Sequence, residues 1–209
     1  MKLLRSVSVA LALLTFTAIS PAAPADDLQS KAPAMVFIIR HAEKPMEDKD
    51  PNLSPMGYKR AEALPSLFIP MPGSHTLPRF PRPQVLFATD PSKHSNRPIE
   101  TITPLSQSLH LKIGHDFSDL DFSALAKEVL SGKYAGKVVL ICWHHGEIPD
   151  LLTGLGAVPE QVLPHGKWPD DVFGWLIELR YDATGRLHET RLIRENLMPD
   201  DHAIATAQP

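Results

Sequence analysis

A single cysteine, Cys142, occurs among 209 residues, so no disulfide can form within the chain. That excludes a framework stapled by bridges and leaves a hydrophobic core to hold the fold. Basic side chains are also scarce, with 21 lysines and arginines against 24 aspartates and glutamates and a net charge of −3. Without a dense basic footprint, a nucleic-acid or anionic-membrane partner is not expected. Neither His-x-x-x-His nor Cys-x-x-Cys spacing occurs, and adjacent histidines on a strand point to opposite faces. A metal site built from His41, His94, His144 and His145 is therefore not expected. No repeat of roughly 20 to 50 residues marks a solenoid or propeller.

Long apolar runs are equally rare, and the longest lies at the start. Met1, Lys2 and Arg5 form a basic head, Val7 to Ile19 an apolar middle, and Ala23 to Ala25 an Ala-x-Ala site. This order predicts a secretory signal peptide over residues 1–25, since the run falls short of the roughly 20 residues that span a bilayer. Cleavage after Ala25 leaves 184 residues with net charge −5, expected to be periplasmic or secreted without stable membrane insertion. Residues 26–34 read as a flexible lead-in, 35–199 as one domain and 200–209 as a tail.

Three short apolar runs, Met35 to Ile39, Val85 to Ala88 and Val138 to Trp143, read as buried strands. Helical patterning covers Ser54 to Leu67, Pro98 to Leu109, Phe122 to Leu130 and Ile148 to Leu155, the first with an N-cap serine before Pro55. Strands alternating with helices predict a mostly parallel sheet covered by helices. Val172 to Tyr181 and Leu187 to Arg194 flank Asp182-Ala-Thr-Gly185 as an antiparallel hairpin, making the sheet mixed. Prolines crowd 69–73 and 78–83, where neither helix nor central strand can continue, so a long surface connection is expected there. Cys142 reads as a small buried side chain, and Trp143, Trp168 and Trp175 as core or loop anchors.

The polar residues at the end of each strand point to chemistry. The first run leads into Arg40-His41-Ala-Glu-Lys44, the second into Ala-Thr-Asp90 with Arg97 soon after, and the third ends at Trp143-His144-His145-Gly146. Ligands of open α/β sheets bind beyond the carboxyl ends of the strands, so these cationic groups meet at one edge. Two guanidiniums with two imidazoles call for an anion, and phosphate suits their paired hydrogen bonds. Arg97 precedes Pro98 and is expected at a helix mouth, where free amides also attract anions. Fixed positive charge lowers a neighbouring histidine's pKa, and the neutral imidazole is the form that attacks phosphorus.

Taken in order, Arg40-His41-Ala-Glu43, Leu53-Ser-Pro-Met-Gly57-Tyr-Lys-Arg60-Ala61, Arg97-Pro-Ile-Glu-Thr101 and the strand ending in His145-Gly146 resemble the histidine phosphatase superfamily, phosphoglycerate mutase-like and of branch 1 type. The match runs from about residue 35 to 156. Ala42 replaces the family's usual glycine, and Pro98 stands where a small residue is common. The resemblance implies a three-layer α/β sandwich with a mixed, mostly parallel central sheet flanked by helices. It also implies that His41 takes the phosphoryl group, that Arg40 and Arg97 hold its oxygens, and that His145 completes the pocket without metal or cofactor. His145 is preferred to His144 because the family's second histidine precedes Gly or Ser. His144 then faces the other way, as a structural side chain or at most a substrate contact.

The general acid is open among Glu43, Asp119, Asp121 and Glu147, and Glu147 could equally cap the helix beginning at Ile148. Glu43 and Lys44 are further candidates for substrate contact, Lys44 facing either substrate or solvent. The function implied is an exported phosphomonoesterase of the histidine acid phosphatase type, acting on small phosphorylated substrates through a phosphohistidine on His41. A catalytically silent phosphate-ligand module and a phosphomutase are the alternatives. Specificity is expected in the connections around 44–53, 69–83 and 157–171.

Overall fold

A computed structural model describes residues 31–46, 49–70, 73, 76–199 and 201. The expected signal peptide, the lead-in up to residue 30, and the tail apart from Asp201 lie outside the described residues.

The sheet is built from β1 (Met35–Arg40), β2 (Val85–Ala88), β3 (Ile113–Gly114), β4 (Val138–Trp143), β5 (Trp175–Tyr181) and β6 (Leu187–Arg194). Their spatial order is β3-β2-β4-β1-β5-β6. The first four pair in parallel, while β5 runs antiparallel to β1 and β6 antiparallel to β5. The sheet is therefore mixed, and its parallel part carries the cation-bearing strand ends.

The helices are α1 (Pro55–Ala63), α2 (Arg97–Leu109), α3 (Phe122–Val129), α4 (Ile148–Gly154) and the single turn α5 (Pro159–Val162). They cover both faces of the sheet. On one face Val36, Ile38, Val139 and Ile141 meet Leu125 and Val129 of α3 with Leu151 and Leu152 of α4. On the other, Phe37, Ile39, Leu140 and Cys142 meet Leu64, Phe68, Ile102 and Leu105. Continuous apolar runs such as 35–39 arise because a strand in the middle layer is covered on both sides. Trp143, Trp168 and Trp175 are all buried, the last two with ring centroids 5.7 Å apart.

Several boundaries differ from the sequence pattern for local reasons. The span 54–67 splits into α1 and a 3-10 turn over Leu64–Leu67, where Pro65 has no amide to continue the α-helical ladder. Ser54 caps α1 as expected, its Oγ accepting from the Gly57 amide at 3.0 Å. Helix α2 begins at Arg97 rather than Pro98, with Asn96 as N-cap, so Arg97 occupies its first turn instead of lying outside it. The hairpin's first strand begins at Trp175, three residues later than the pattern suggests.

Candidate active site

Strand register decides which side chains meet. In the parallel pair β1–β4, Arg40 lies opposite Trp143, so the next residues, His41 and His144, emerge side by side. The His41 amide donates to the Trp143 carbonyl at 3.1 Å, extending the ladder past the strand end. The two imidazole centroids are 5.3 Å apart, with His41 buried. On the other flank of β4, Ala88 opposes Cys142, and Thr89 Oγ1 lies 3.4 Å from His144 Nε2.

His41 is held in one tautomer. Its Nδ1 lies 2.7 Å from the Ala42 carbonyl oxygen, which can only accept, so Nδ1 carries the proton and Nε2 keeps its lone pair. Burial, then the charge of Arg40, holds its pKa well below the usual histidine range. A neutral imidazole with an unprotonated Nε2 is a nucleophile ready for use.

The sequence pattern favours His145 beside His41 with His144 turned away; the structure reverses them. His144 is the ring against His41, while His145 stands to one side with Nε2 3.0 Å from the Asp170 carboxylate. The physical reason is lateral: residues one step beyond a matched pair, 41 and 144, share a face, and His145 comes one step too late. Burial, opposed by Asp119 and reinforced by Arg97, pushes the His144 pKa down to about 4. Burial and then Arg40 also lower that of His145.

Arg40 is buried, and its guanidinium is clasped from one side. One terminal nitrogen, Nη1, donates to the carbonyls of Pro169, Asp170 and Val172 at 3.1, 2.9 and 3.0 Å. The Phe173 ring lies 4.0 Å from its central carbon. Burial lowers its pKa to about 10. Nε is buried with no hydrogen-bond partner among the described residues, a donor suited to an anion oxygen. Arg97 is fixed by its own donors to the Asp50 and His94 carbonyls, at 2.9 and 3.4 Å, and its charge is felt by both His41 and His144.

The four acid candidates separate clearly. Glu43 accepts a forked pair of bonds from Arg60 at 2.7 to 3.1 Å, which commits its carboxylate to that guanidinium rather than to a substrate. Asp121 accepts from the amide and hydroxyl of Ser118, which lower its pKa and keep it ionised. Glu147 occupies the N-cap position of α4 without making a capping bond, and burial, then Asp119, raises its pKa. Asp119 lines a cleft of about 410 Å³ together with His144, Arg97, Asp90, Ser92 and Ser95. Lys44 is exposed, near enough to His145 for its charge to be felt there.

Thr89, Thr101 and Phe173 join the site without a sequence signal that singled them out, and Asp119 stands in the sequence only as one acid among four. Thr89 is reachable by extending the strand-end argument to β2, and Asp119 by extending it to the loop after β3. Thr101, which accepts from the Ala42 amide at 2.8 Å and donates to the Arg97 carbonyl at 2.7 Å, ends the Arg97–Thr101 motif, but nothing in the sequence assigns it a role. Among the described residues no group of three or more His, Cys, Asp or Glu is placed to hold a metal ion. No described helix is long and apolar enough to cross a membrane.

No family model matches the chain, and no curated protein matches it. Solved structures similar to it include a protein provisionally designated phosphohistidine phosphatase SixA from Agrobacterium tumefaciens, at 18% identity over 75% of this chain and 97% of that one, TM-score 0.47. Another is mycobacterial glucosyl-3-phosphoglycerate phosphatase in complex with inorganic phosphate, at 16% identity over 78% and 97%, TM-score 0.44. A third is a phosphoserine phosphatase mutant from Entamoeba histolytica in complex with phosphoserine, at 12% identity over 75% and 95%, TM-score 0.46. All three are described as phosphatases.

Proposed function

We propose that this chain is a member of the histidine phosphatase superfamily and an exported phosphomonoesterase that forms a phosphohistidine on His41. The observation that carries the proposal is the His41 ring. It is buried, its Nδ1–H is tied to the Ala42 carbonyl, and its Nε2 keeps a lone pair, with the His144 ring beside it.

In the reaction so read, Arg40 and Arg97 neutralise the phosphoryl oxygens while His41 Nε2 attacks phosphorus in line. The P–N bond forms as the ester P–O bond breaks, and the departing oxygen takes a proton from an acid at the cleft wall. Asp119 is the carboxyl best placed for that role, because it shares the cleft with His144 and Arg97. Water then attacks the phosphohistidine, gives its proton to the same carboxylate, and releases inorganic phosphate and neutral His41. His144, neutral in the free site, gains a proton more readily once the phosphate dianion is bound and stabilises the equatorial oxygens. Bound substrates are small phosphate esters whose carrier sits among Asp90, Ser92, Ser95 and Asp119.

The test uses the chain from Asp26 onward with p-nitrophenyl phosphate, with and without EDTA, beside His41→Ala. Turnover that persists in EDTA and is lost in the variant, with an acid-labile and base-stable phosphoryl label on the wild type, is the expected result. Tight phosphate binding without turnover on a broad ester panel would replace the enzyme with a ligand-binding module. Loss of activity in EDTA would point to metal chemistry instead.

A further inference from the structure

Two residues from the nucleophile lies a buried charge cluster that the chemistry above does not use. Arg60, on α1 and only 5% exposed, is surrounded by three carboxyl groups from distant parts of the chain. Its Nε and Nη2 bond Glu43 at 2.7 to 3.1 Å, Nη1 and Nη2 bond Asp201 at 2.9 and 2.8 Å, and Nη1 reaches Glu195 at 3.2 Å. Glu195 and Asp201 are buried as deeply as Arg60. Asp201 also accepts from the amides of Leu197 and Met198 at 2.9 and 3.0 Å, which closes the turn that carries it.

One guanidinium does not require three acids to be satisfied, and burying two of them is costly. The arrangement makes sense by what it grips. Glu43 belongs to the segment His41-Ala42-Glu43, which is held at several points. Thr101 takes the Ala42 amide at 2.8 Å, and the Ser54 amide donates to the Glu43 carbonyl at 2.9 Å. Gly57 lies so close to the Glu43 backbone that a β-carbon there would overlap the carbonyl oxygen. The side chain of Glu43 is the remaining handle, and Arg60 holds it with a fork. Between these restraints lies the Ala42 carbonyl, the acceptor that sets the His41 tautomer.

We infer that Arg60 is a positioning residue for the nucleophile, acting through Glu43 on the Ala42 carbonyl, and that the C-terminal turn carrying Glu195 and Asp201 is its anchor. The inference rests on His41 being the reacting group proposed above. A conservative lysine at 60 keeps the charge but cannot form the fork, so the Ala42–Glu43 peptide gains freedom and the imidazole loses its fixed tautomer. Geometry of this kind acts on the chemical step rather than on phosphate binding, which depends on Arg40 and Arg97.

The experiment compares Arg60→Lys, Glu43→Gln and Asp201→Asn with the wild type by three readouts. These are kcat and KM on p-nitrophenyl phosphate, thermal unfolding, and the imidazole ¹⁵N resonances that distinguish Nδ1–H from Nε2–H in His41. Expected is a fall in kcat of roughly 10-fold or more with KM changed by less than about 2-fold. The single Nδ1–H signature of His41 should become a mixture in the same folded variants. Glu43→Gln, which retains one acceptor oxygen, should fall between Arg60→Lys and the wild type. Folded variants that keep both the wild-type kcat and the single tautomer would overturn the inference and reduce the cluster to a brace. Where a variant fails to fold, the two milder ones decide by the same readouts. A wild type without turnover on any ester would defeat the phosphatase reading alone, because the tautomer of His41 is still measured and still decides the role of Arg60.

Discussion

The Ala42 carbonyl turns an ordinary imidazole into a directed one, and in the proposed reaction the side chains around it divide into those that hold charge and those that move protons. His144→Ala is expected to lower kcat by roughly 10² to 10³, the usual loss when a preorganised electrostatic contact is removed. His145→Ala, at the rim against Asp170, should cost less than about 10-fold, and steady-state kinetics on one ester checks both. Proton delivery is separable by leaving group. Asp119→Asn should slow an alkyl phosphate, whose alkoxide must be protonated, by roughly 10² or more while sparing p-nitrophenyl phosphate. Glu147→Gln should affect both esters alike and weakly; the opposite pattern would assign the acid to Glu147. At this scale the sequence pointed to Arg40, His41, Arg97 and the histidine pair, because each ends or follows a strand that its apolar run makes recognisable. It did not disclose which histidine faces inward, since that depends on the pairing of Arg40 with Trp143, a relation between strands about a hundred residues apart.

Elements were legible in proportion to their length and burial. β1, β2 and β4 are continuous apolar runs and lie within one residue of their expected bounds, whereas the two-residue β3 and the single turn α5 are too short to leave a period. Pro104 sits inside α2 without ending it, its lost hydrogen bond outweighed by burial of Ile102 and Leu105 in the core. The connection 169–173 carried no sequence signal for its role because it acts through carbonyls and one ring, delivering three acceptors and Phe173 to Arg40. Close approach of α1 to the segment His41-Ala42-Glu43 has a direct consequence. Gly57→Ala places a methyl group against the Glu43 carbonyl, and rigid backbone on both sides leaves nowhere to relax. Despite alanine's better helix propensity, the variant should lose about 1–3 kcal/mol in chemical denaturation, with activity reduced in the folded fraction.

For the whole molecule, the mixed three-layer sandwich was legible in the alternation of strands and helices, but the tie between the C-terminal turn and α1 was not. The hydrogen bonds that join Arg60 to residues 195 and 201 have no local pattern, and only the folded chain brings them together. Their electrostatics reach stability. Around Arg60, Glu195 faces Asp201 and Glu43 as well as the guanidinium, with the Cys142 thiol nearby. Burial first, opposed by Arg60 and aided by the neighbouring acids, raises the Glu195 pKa to about 8 from an ordinary value of 4.5. The folded protein thus binds a proton that the unfolded chain releases, so this group's contribution is complete below about pH 4.5 and fades as pH rises through about 8. The slope is at most about 1.4 kcal/mol per pH unit, and Glu195→Gln should flatten it in denaturation curves taken from pH 5 to 9.

Cys142 lies on β4 between the sheet and α2, wholly buried, and burial holds its thiol well above the ordinary cysteine range. Export, as proposed above, would bring the protein into contact with oxidants, yet this sulfur is shut away from them for as long as the sandwich stays closed. Covalent dimers should therefore form only after opening. A thiol-reactive dye added to native protein should label at the rate at which the central layer comes apart, giving the molecule an internal clock for its own unfolding.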